Sequence, residues 1–157
     1  MEEITILLVD DEKLALVGFE TGVDWKGVGI TKVMKAYSKQ GAISVLQQAP
    51  VDILLTDIEM PDGTGTELIR WQKENHPNIV SAFYTCHADF SYAQEAVKLG
   101  ALDYLLKPVP FPNWRLFFKS SGAGKAAAGR RAFGGNLETG RKWQRKCYCS
   151  SKKVYCG

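Results

Sequence analysis

The chain of 157 residues lacks the features that mark membrane and secreted proteins. No segment approaches the run of about 18 apolar residues that is needed to span a bilayer. The first residues, Met1, Glu2 and Glu3, are acidic where a secretory signal would be basic. The four cysteines match no zinc-binding spacing, so we interpret them as incidental thiols. These absences predict a cytoplasmic protein with no membrane segment and no zinc site.

Acidic residues are nearly missing from residues 111–157, which contain one Asp or Glu and 11 Lys or Arg. Residues 1–110 contain 16 Asp and Glu and 9 Lys and Arg, so their net charge is −7 and that of the remainder is +10. The length suits one domain with a single core and little more. We predict a domain over residues 1–119 and a basic, glycine-rich tail over residues 120–157.

Short apolar segments rich in branched residues alternate with segments of helical periodicity. The β-type segments are 4–9, 30–37, 51–55, 79–84 and 101–106, and the helical segments are 13–23, 38–48, 66–75 and 90–99. This alternation predicts an α/β fold, a doubly wound five-stranded parallel sheet with helices on both faces. The more polar segment 30–37 is expected near an edge. Apolar residues on the helical patterns include Leu14, Val17 and Val97, and the core candidates include Trp71 and Phe83.

Polar side chains follow the predicted strands where each strand ends. Asp10 and Asp11 follow the first, Asp57 the third, Thr85 the fourth and Lys107 the fifth. Ligands bind at the carboxyl ends of strands in such sheets, and three neighbouring carboxylates need a cation to offset their repulsion. Oxygen ligands of this kind suit Mg²⁺, and a lysine and a hydroxyl suit phosphoryl oxygens. The residues therefore indicate that Asp57 is phosphorylated; the alternative is an aspartate that caps a helix or forms a turn.

Four separated motifs in order resemble the receiver domain of two-component response regulators: Val9-Asp-Asp-Glu12, Asp57-x-x-Met-Pro-Asp-Gly63, Thr85 and Asp103-Tyr-Leu-Leu-Lys-Pro108. The resemblance covers residues 3 to about 112. Residues 86–108 further resemble receivers that precede AraC-type DNA-binding domains. The resemblance implies a flavodoxin-like sheet with strand order 2-1-3-4-5.

The resemblance also implies roles for individual residues. Asp57 would accept a phosphoryl group from a sensor histidine kinase, and Lys107 would pair with the phosphoryl oxygens. Thr85 and Tyr104 would form the switch that alters the face made by the fourth helix and fifth strand. The implied ligands of Mg²⁺ are Asp10, Asp11, Asp57 and the backbone carbonyl of Glu59.

The implied partners are the kinase, a second copy of the chain after phosphorylation, and DNA through an effector domain absent from this chain. The only implied catalysis is the transfer of the phosphoryl group to Asp57 and its hydrolysis. The side chains of Glu59 and His87 would flank the path of the attacking water. We expect Glu59 to orient that water and His87 to obstruct it.

Two other functions remain open from the residues. A magnesium-dependent phosphatase or hydrolase of doubly wound fold also uses an aspartate at a strand end, although it usually needs a second acid nearby. A DNA-binding protein could act through the basic tail.

The family pattern requires a fifth helix, which residues 111–119 could begin before glycines interrupt it. Beyond it, the tail is either a basic nucleic-acid arm or a stretch translated out of frame. Residues 117–130, back-translated with permitted codons and read one base later, yield a helix-forming peptide, which favours the second interpretation. A coding DNA whose shifted frame continued into an AraC-type domain would establish it.

Overall fold

The computed structural model describes residues 3–107 and Phe118. Within residues 3–107 the elements are β1 (Thr5–Val9), α1 (Lys13–Gly22), β2 (Lys32–Ala36), α2 (Lys39–Gln48), β3 (Ile53–Thr56), β4 (Glu59–Met60), β5 (Gly63–Thr64), α3 (Gly65–Asn75), β6 (Val80–Thr85), α4 (Phe90–Lys98) and β7 (Tyr104–Leu106). No helix in this part of the chain has the length and apolar character needed to cross a membrane.

Five strands form one parallel sheet in the order β2-β1-β3-β6-β7. Because β4 and β5 form a separate hairpin, β6 and β7 are the fourth and fifth strands of this sheet, and the predicted order 2-1-3-4-5 is confirmed. The polar strand β2 lies at an edge, as expected. The β4–β5 hairpin, in which Met60 pairs with Gly63 across a two-residue turn, is not predicted by the sequence analysis.

Alternate residues of the strands face two hydrophobic cores, because successive side chains of a strand point to opposite faces. On one face, α1 buries Leu16 and Phe19 against the sheet. On the other face, α2, α3 and α4 pack on Leu7, Leu54 and Phe83. Helices therefore cover both faces, as predicted. Phe83 is fully buried, whereas Trp71 is only partly buried.

Three apolar residues of the helical patterns face outward, contrary to expectation. Leu14, Val17 and Val97 have exposed fractions of 86%, 47% and 51%. Each residue of a helix is rotated by about 100° from its neighbour, so positions one or two residues from a buried residue lie on another face. Val17 follows the buried Leu16, and Val97 follows the buried Ala96.

Several strands are shorter than predicted. The second strand starts at Lys32, where the sequence analysis placed its start at residue 30. The fifth starts at Tyr104, where the prediction was residue 101, because the backbone N–H of Ala101 donates to the carbonyl of Ala96 and so still closes the end of α4. Ser38 caps α2 and Asp89 caps α4, because the side chain of each accepts a hydrogen bond from an N–H of the first turn.

The predicted fifth helix and the basic tail lie outside the described residues, except for Phe118. Phe118 is helical and buried, and its ring lies 5.9 Å from that of Trp25. It belongs to the core on the α1 face of the sheet.

Candidate functional site

Three backbone hydrogen bonds continue the pairing of the strands beyond their last residues. The N–H of Asp10 donates to the carbonyl of Ala36, that of Asp57 to Val9, and that of Lys107 to Thr85. The distances are 3.2, 2.9 and 2.8 Å. The sheet thereby carries Asp10, Asp57 and Lys107 to one edge, where the carboxyl ends of the parallel strands meet.

Three carboxylates cluster at this edge. One oxygen each of Asp10, Asp11 and Asp57 lies within 4.8 Å of the others. Asp10 is buried, Asp57 is half-buried and Asp11 is exposed to solvent. The cluster is thus buried at Asp10 and open to solvent at Asp11.

Lys107 joins two of these carboxylates. Its Nζ donates to Asp10 Oδ2 at 2.5 Å and to Asp57 Oδ2 at 3.0 Å. Burial opposes the charged ammonium, but the hydrogen bonds to Asp10 and Asp57 outweigh it, and the pKa of Lys107 is raised. The ammonium also lies 5.2 Å from the centre of the Tyr84 ring, which favours the cation. Lys107 is therefore charged and fixed in position.

Backbone donors fix the second oxygen of both aspartates. Glu12 N donates to Asp10 Oδ1 at 2.9 Å, and Ile58 N donates to Asp57 Oδ1 at 2.6 Å. The backbone at Gly65 passes close to the backbone at Asp57. A Cβ on Gly65 would lie only 2.0 Å from the Asp57 carbonyl oxygen. Glycine is required at this close approach.

The donor set fits a divalent cation. Three carboxylates and one ammonium leave two negative charges, which one divalent ion would balance. The donors are all oxygen, which Mg²⁺ prefers, and the exposed Asp11 leaves a side open for water or phosphate oxygens. Asp10, Asp11 and Asp57 are the residues that could hold such an ion.

The two residues predicted to form the switch lie at the end of β6 and at the start of β7. Thr85 is fully buried at the end of β6, and its Oγ1 accepts a hydrogen bond from His87 N at 3.2 Å. The Tyr104 hydroxyl donates to the carbonyl of His87, and burial raises its pKa to about 12. Both residues therefore contact the same loop between β6 and α4, and Tyr104 is half-buried.

A second cluster of polar side chains joins this loop to the hairpin after Asp57, and sequence reasoning missed it. His87 Nε2 lies 3.1 Å from Glu59 Oε2, and the Tyr92 hydroxyl lies 3.4 Å from Glu59 Oε1. We expected Glu59 and His87 to act separately, but they form a pair. Tyr92 follows the Asp89 cap by three residues, and no pattern in the sequence indicates its contact with Glu59.

Comparisons with known proteins agree with this fold. The family model of the response regulator receiver domain matches residues 6–115. The uncharacterized transcriptional regulatory protein YesN of Bacillus subtilis is 34% identical over 103 residues, which are 66% of this chain and 28% of that protein.

Among solved structures, the REC domain of AraT, a response regulator from Geobacillus stearothermophilus, has a TM-score of 0.73 and 29% identity, over 82% of this chain and 99% of that one. A two-component transcriptional regulator AraC from Clostridium phytofermentans has a TM-score of 0.73 and 28% identity, over 83% of this chain and 99% of that one.

These observations define a doubly wound α/β domain with an acidic cluster and a lysine at the carboxyl ends of its parallel strands, which is where ligands bind in such folds. The chain belongs to the family of response regulator receiver domains. Receivers of AraC-type regulators are among its structural neighbours, as the sequence predicted. Receiver domains generally bind Mg²⁺ at an acidic pocket and interact with histidine kinases. The chain spans less than a third of the length of YesN.

Proposed function

We propose that this chain is the phosphorylation-activated input domain of a cytoplasmic transcriptional regulator. Asp57 accepts a phosphoryl group from a sensor histidine kinase, and the phosphorylated domain controls transcription through an effector. The observation that carries the proposal is the pair of hydrogen bonds from Lys107 to Asp10 and Asp57, at 2.5 and 3.0 Å. They hold a fixed positive charge against the carboxylate that is to be phosphorylated.

The transfer forms a bond from an Asp57 carboxylate oxygen to phosphorus while the bond from phosphorus to the donor breaks. In the reverse half of the cycle, water attacks the phosphorus, inorganic phosphate leaves and the carboxylate is regenerated. Lys107 then stabilises the added negative charge on the phosphoryl oxygens, since it already lies 3.0 Å from Asp57 Oδ2. No other catalysis is proposed for this domain.

Asp10, Asp11, Asp57 and the backbone carbonyl of Glu59 would hold Mg²⁺. The closeness of the three carboxylates, within 4.8 Å, supports the first three ligands. Glu59 follows Asp57 by two residues and is the first residue of β4. A bound Mg²⁺ supplies charge neutralisation for the acidic cluster and the phosphoryl oxygens. The side chains orient the reacting oxygen and keep the site in one geometry before the donor arrives.

Thr85 and Tyr104 would transmit the change. Thr85 gives up its hydrogen bond from His87 N to bond the phosphoryl group, and Tyr104 gives up its bond to the His87 carbonyl and turns inward. Both contacts hold the loop that begins at Cys86, so their loss would release this loop and alter the face of α4 and β7. The altered face would pair two copies of the domain. This is a two-state element biased by a local charge.

Incubation with acetyl phosphate and Mg²⁺, followed by intact mass, tests the proposal. We expect an adduct of one phosphate on the wild-type chain and none on Asp57→Asn or after chelation of Mg²⁺. Peptide mapping should place the phosphate on Asp57. Continuous consumption of excess acetyl phosphate without an adduct would instead indicate a phosphatase, and an adduct on another residue would contradict the proposed role of Asp57.

A further inference from the structure

The β4–β5 hairpin that follows Asp57 is held by a second aspartate at its tip. Asp62 lies in the two-residue turn between Met60 and Gly63, and its carboxylate contacts the amino end of α2. Its Oδ1 accepts from Lys39 N at 2.9 Å, and its Oδ2 accepts from Gln40 N at 2.8 Å. These two amides are the first of α2.

The amino end of α2 is satisfied jointly by Asp62 and by the helix cap Ser38. The first N–H groups of a helix have no partner within it, and a carboxylate there is also favoured by the helix dipole. Ser38 accepts the next amide, that of Gly41, at 2.9 Å. The hydrogen bond from Gln40 holds the pKa of Asp62 below its ordinary value, so the carboxylate is charged at neutral pH. The hairpin thus accepts two of these three N–H groups of a helix to which it is not adjacent in sequence.

The side chain of Lys39 joins α2 to α3 where they pass the turn of the hairpin. Its Nζ lies 2.7 Å from Glu67 Oε2 of α3. A Cβ on Gly63 would lie 2.5 Å from that Nζ and 2.8 Å from that oxygen, and the φ of Gly63 is +147°. Glycine at position 63 therefore serves the contact between α2, the hairpin and α3.

Glu59 lies between two fixed points of this hairpin. At the base, Gly65 N donates to the Ile58 carbonyl at 2.6 Å and Gly65 lies directly against the Asp57 carbonyl. At the tip, Asp62 is fixed to α2. We propose that Asp62 is a positioning residue for the metal site, because its bonds to Lys39 N and Gln40 N hold the hairpin that presents the Glu59 carbonyl.

This inference rests on the proposed role of the Glu59 carbonyl as a ligand. Removal of the Asp62 carboxylate frees the tip of the hairpin, so the Glu59 carbonyl is no longer held in place before the ion binds. Binding of the ion must then also order this carbonyl. The expected consequence is weaker Mg²⁺ binding, with little change in the phosphorylation rate once Mg²⁺ saturates the site.

Calorimetric titration of the full chain with Mg²⁺ tests this consequence. We expect Asp62→Ala to raise the dissociation constant by about tenfold, which is the lower end of the loss seen when an outer support of a metal ligand is removed. Asp62→Asn retains one acceptor oxygen and should give an intermediate value. At saturating Mg²⁺ the rate of phosphorylation by acetyl phosphate should stay within about twofold of the wild-type rate, because the substitution weakens the binding of Mg²⁺ and does not alter the chemical step.

Ser38→Ala is the matched control. It removes an acceptor from the same end of α2 but leaves the contacts of the hairpin in place. It should therefore lower the melting temperature by about as much as Asp62→Ala does and leave the Mg²⁺ dissociation constant unchanged. Lys39→Ala keeps both backbone amides and should also bind Mg²⁺ normally. Normal Mg²⁺ affinity in Asp62→Ala, or an equal loss in Ser38→Ala, would overturn the inference. A wild-type chain that bound Mg²⁺ but gained no phosphate on Asp57 would overturn the proposed function and leave the comparison of Asp62 with Ser38 intact.

Discussion

The two polar clusters at the carboxyl edge of the sheet differ in burial. In the cluster of Asp10, Asp57 and Lys107, the side chains are 5%, 13% and 13% exposed. In the cluster of Glu59, His87 and Tyr92, the side chains of His87 and Glu59 are 43% and 55% exposed. A charged contact out of water is costly to break, whereas an exposed one contributes little to stability. The first cluster should therefore determine whether the chemistry occurs, and the second should adjust its rate.

Asp57→Asn should have the largest effect, because it removes the proposed nucleophile from the buried cluster. We expect no phosphorylated species by intact mass. The fold should persist, since Lys107 keeps its 2.5 Å contact with Asp10 and the repulsion between carboxylates decreases. Circular dichroism and the melting temperature would check the fold. Undiminished labelling of this variant would mean that another residue accepts the phosphate.

Lys107→Ala should come next. It leaves Asp10 and Asp57 without their shared cation, so unfolding in urea without Mg²⁺ should show a loss of about 1–3 kcal/mol, partly recovered when Mg²⁺ is added. Mg²⁺ should still bind, but phosphorylation should no longer change dimerisation or tryptophan fluorescence.

Lys35→Ala is the control for Lys107→Ala, because its ion pair with Glu20 lies away from the acidic cluster. That variant should switch normally. A Lys107→Ala chain that also dimerised normally with acetyl phosphate would contradict the role of this lysine.

The contrast in burial also explains which cluster the sequence predicts. Asp10 and Asp57 directly follow buried strands, and Lys107 directly follows a partly buried one. Because the carboxyl ends of parallel strands meet, the proximity of these three residues follows from the pattern. The contact of Glu59 with His87 and Tyr92 depends on the directions of side chains in a hairpin, a loop and a helix. The bond from Asp62 to α2 likewise depends on a hairpin that the sequence shows only as a Pro-Asp-Gly turn.

Outward-facing residues show the same limit on a smaller scale. Leu14 and Val17 fit a helical period about as well as Leu16 and Phe19, yet only the latter two are buried. Periodicity predicts that a helix has an apolar face, but the packing of α1 on β1 and β3 decides which residues form it. Segment types were therefore predictable from the pattern and the strand order from the family resemblance, whereas the orientation of single side chains was not.

A pair of substitutions in the exposed cluster should alter the lifetime of the phosphorylated state. His87→Ala should shorten it and Glu59→Ala should lengthen it, each by about tenfold or less, which is about 1.4 kcal/mol of barrier. Because His87 Nε2 and Glu59 Oε2 are 3.1 Å apart, the effects should not add. His87→Ala frees the carboxylate that would orient water, so the double variant should resemble Glu59→Ala.

Phosphate release after removal of the donor measures these lifetimes. Additive effects would mean that the pair observed here does not control the path of water. Unchanged lifetimes in both single variants would place that path elsewhere.

The smallest effects are expected for the hydroxyls of Tyr104 and Tyr92. A comparison of the two substitutions separates the half-buried contact of Tyr104 from the exposed contact of Tyr92. Tyr104→Phe removes the hydrogen bond to the His87 carbonyl and should lower the free energy of unfolding by about 1 kcal/mol. Tyr92→Phe removes a 3.4 Å contact with Glu59 at the surface and should leave stability unchanged. Urea denaturation measures the first difference, and amide exchange at His87 and Ala88 should be faster only in Tyr104→Phe. Faster exchange in Tyr92→Phe as well would show that the exposed cluster also holds the loop, which would contradict the expected difference between the two tyrosines.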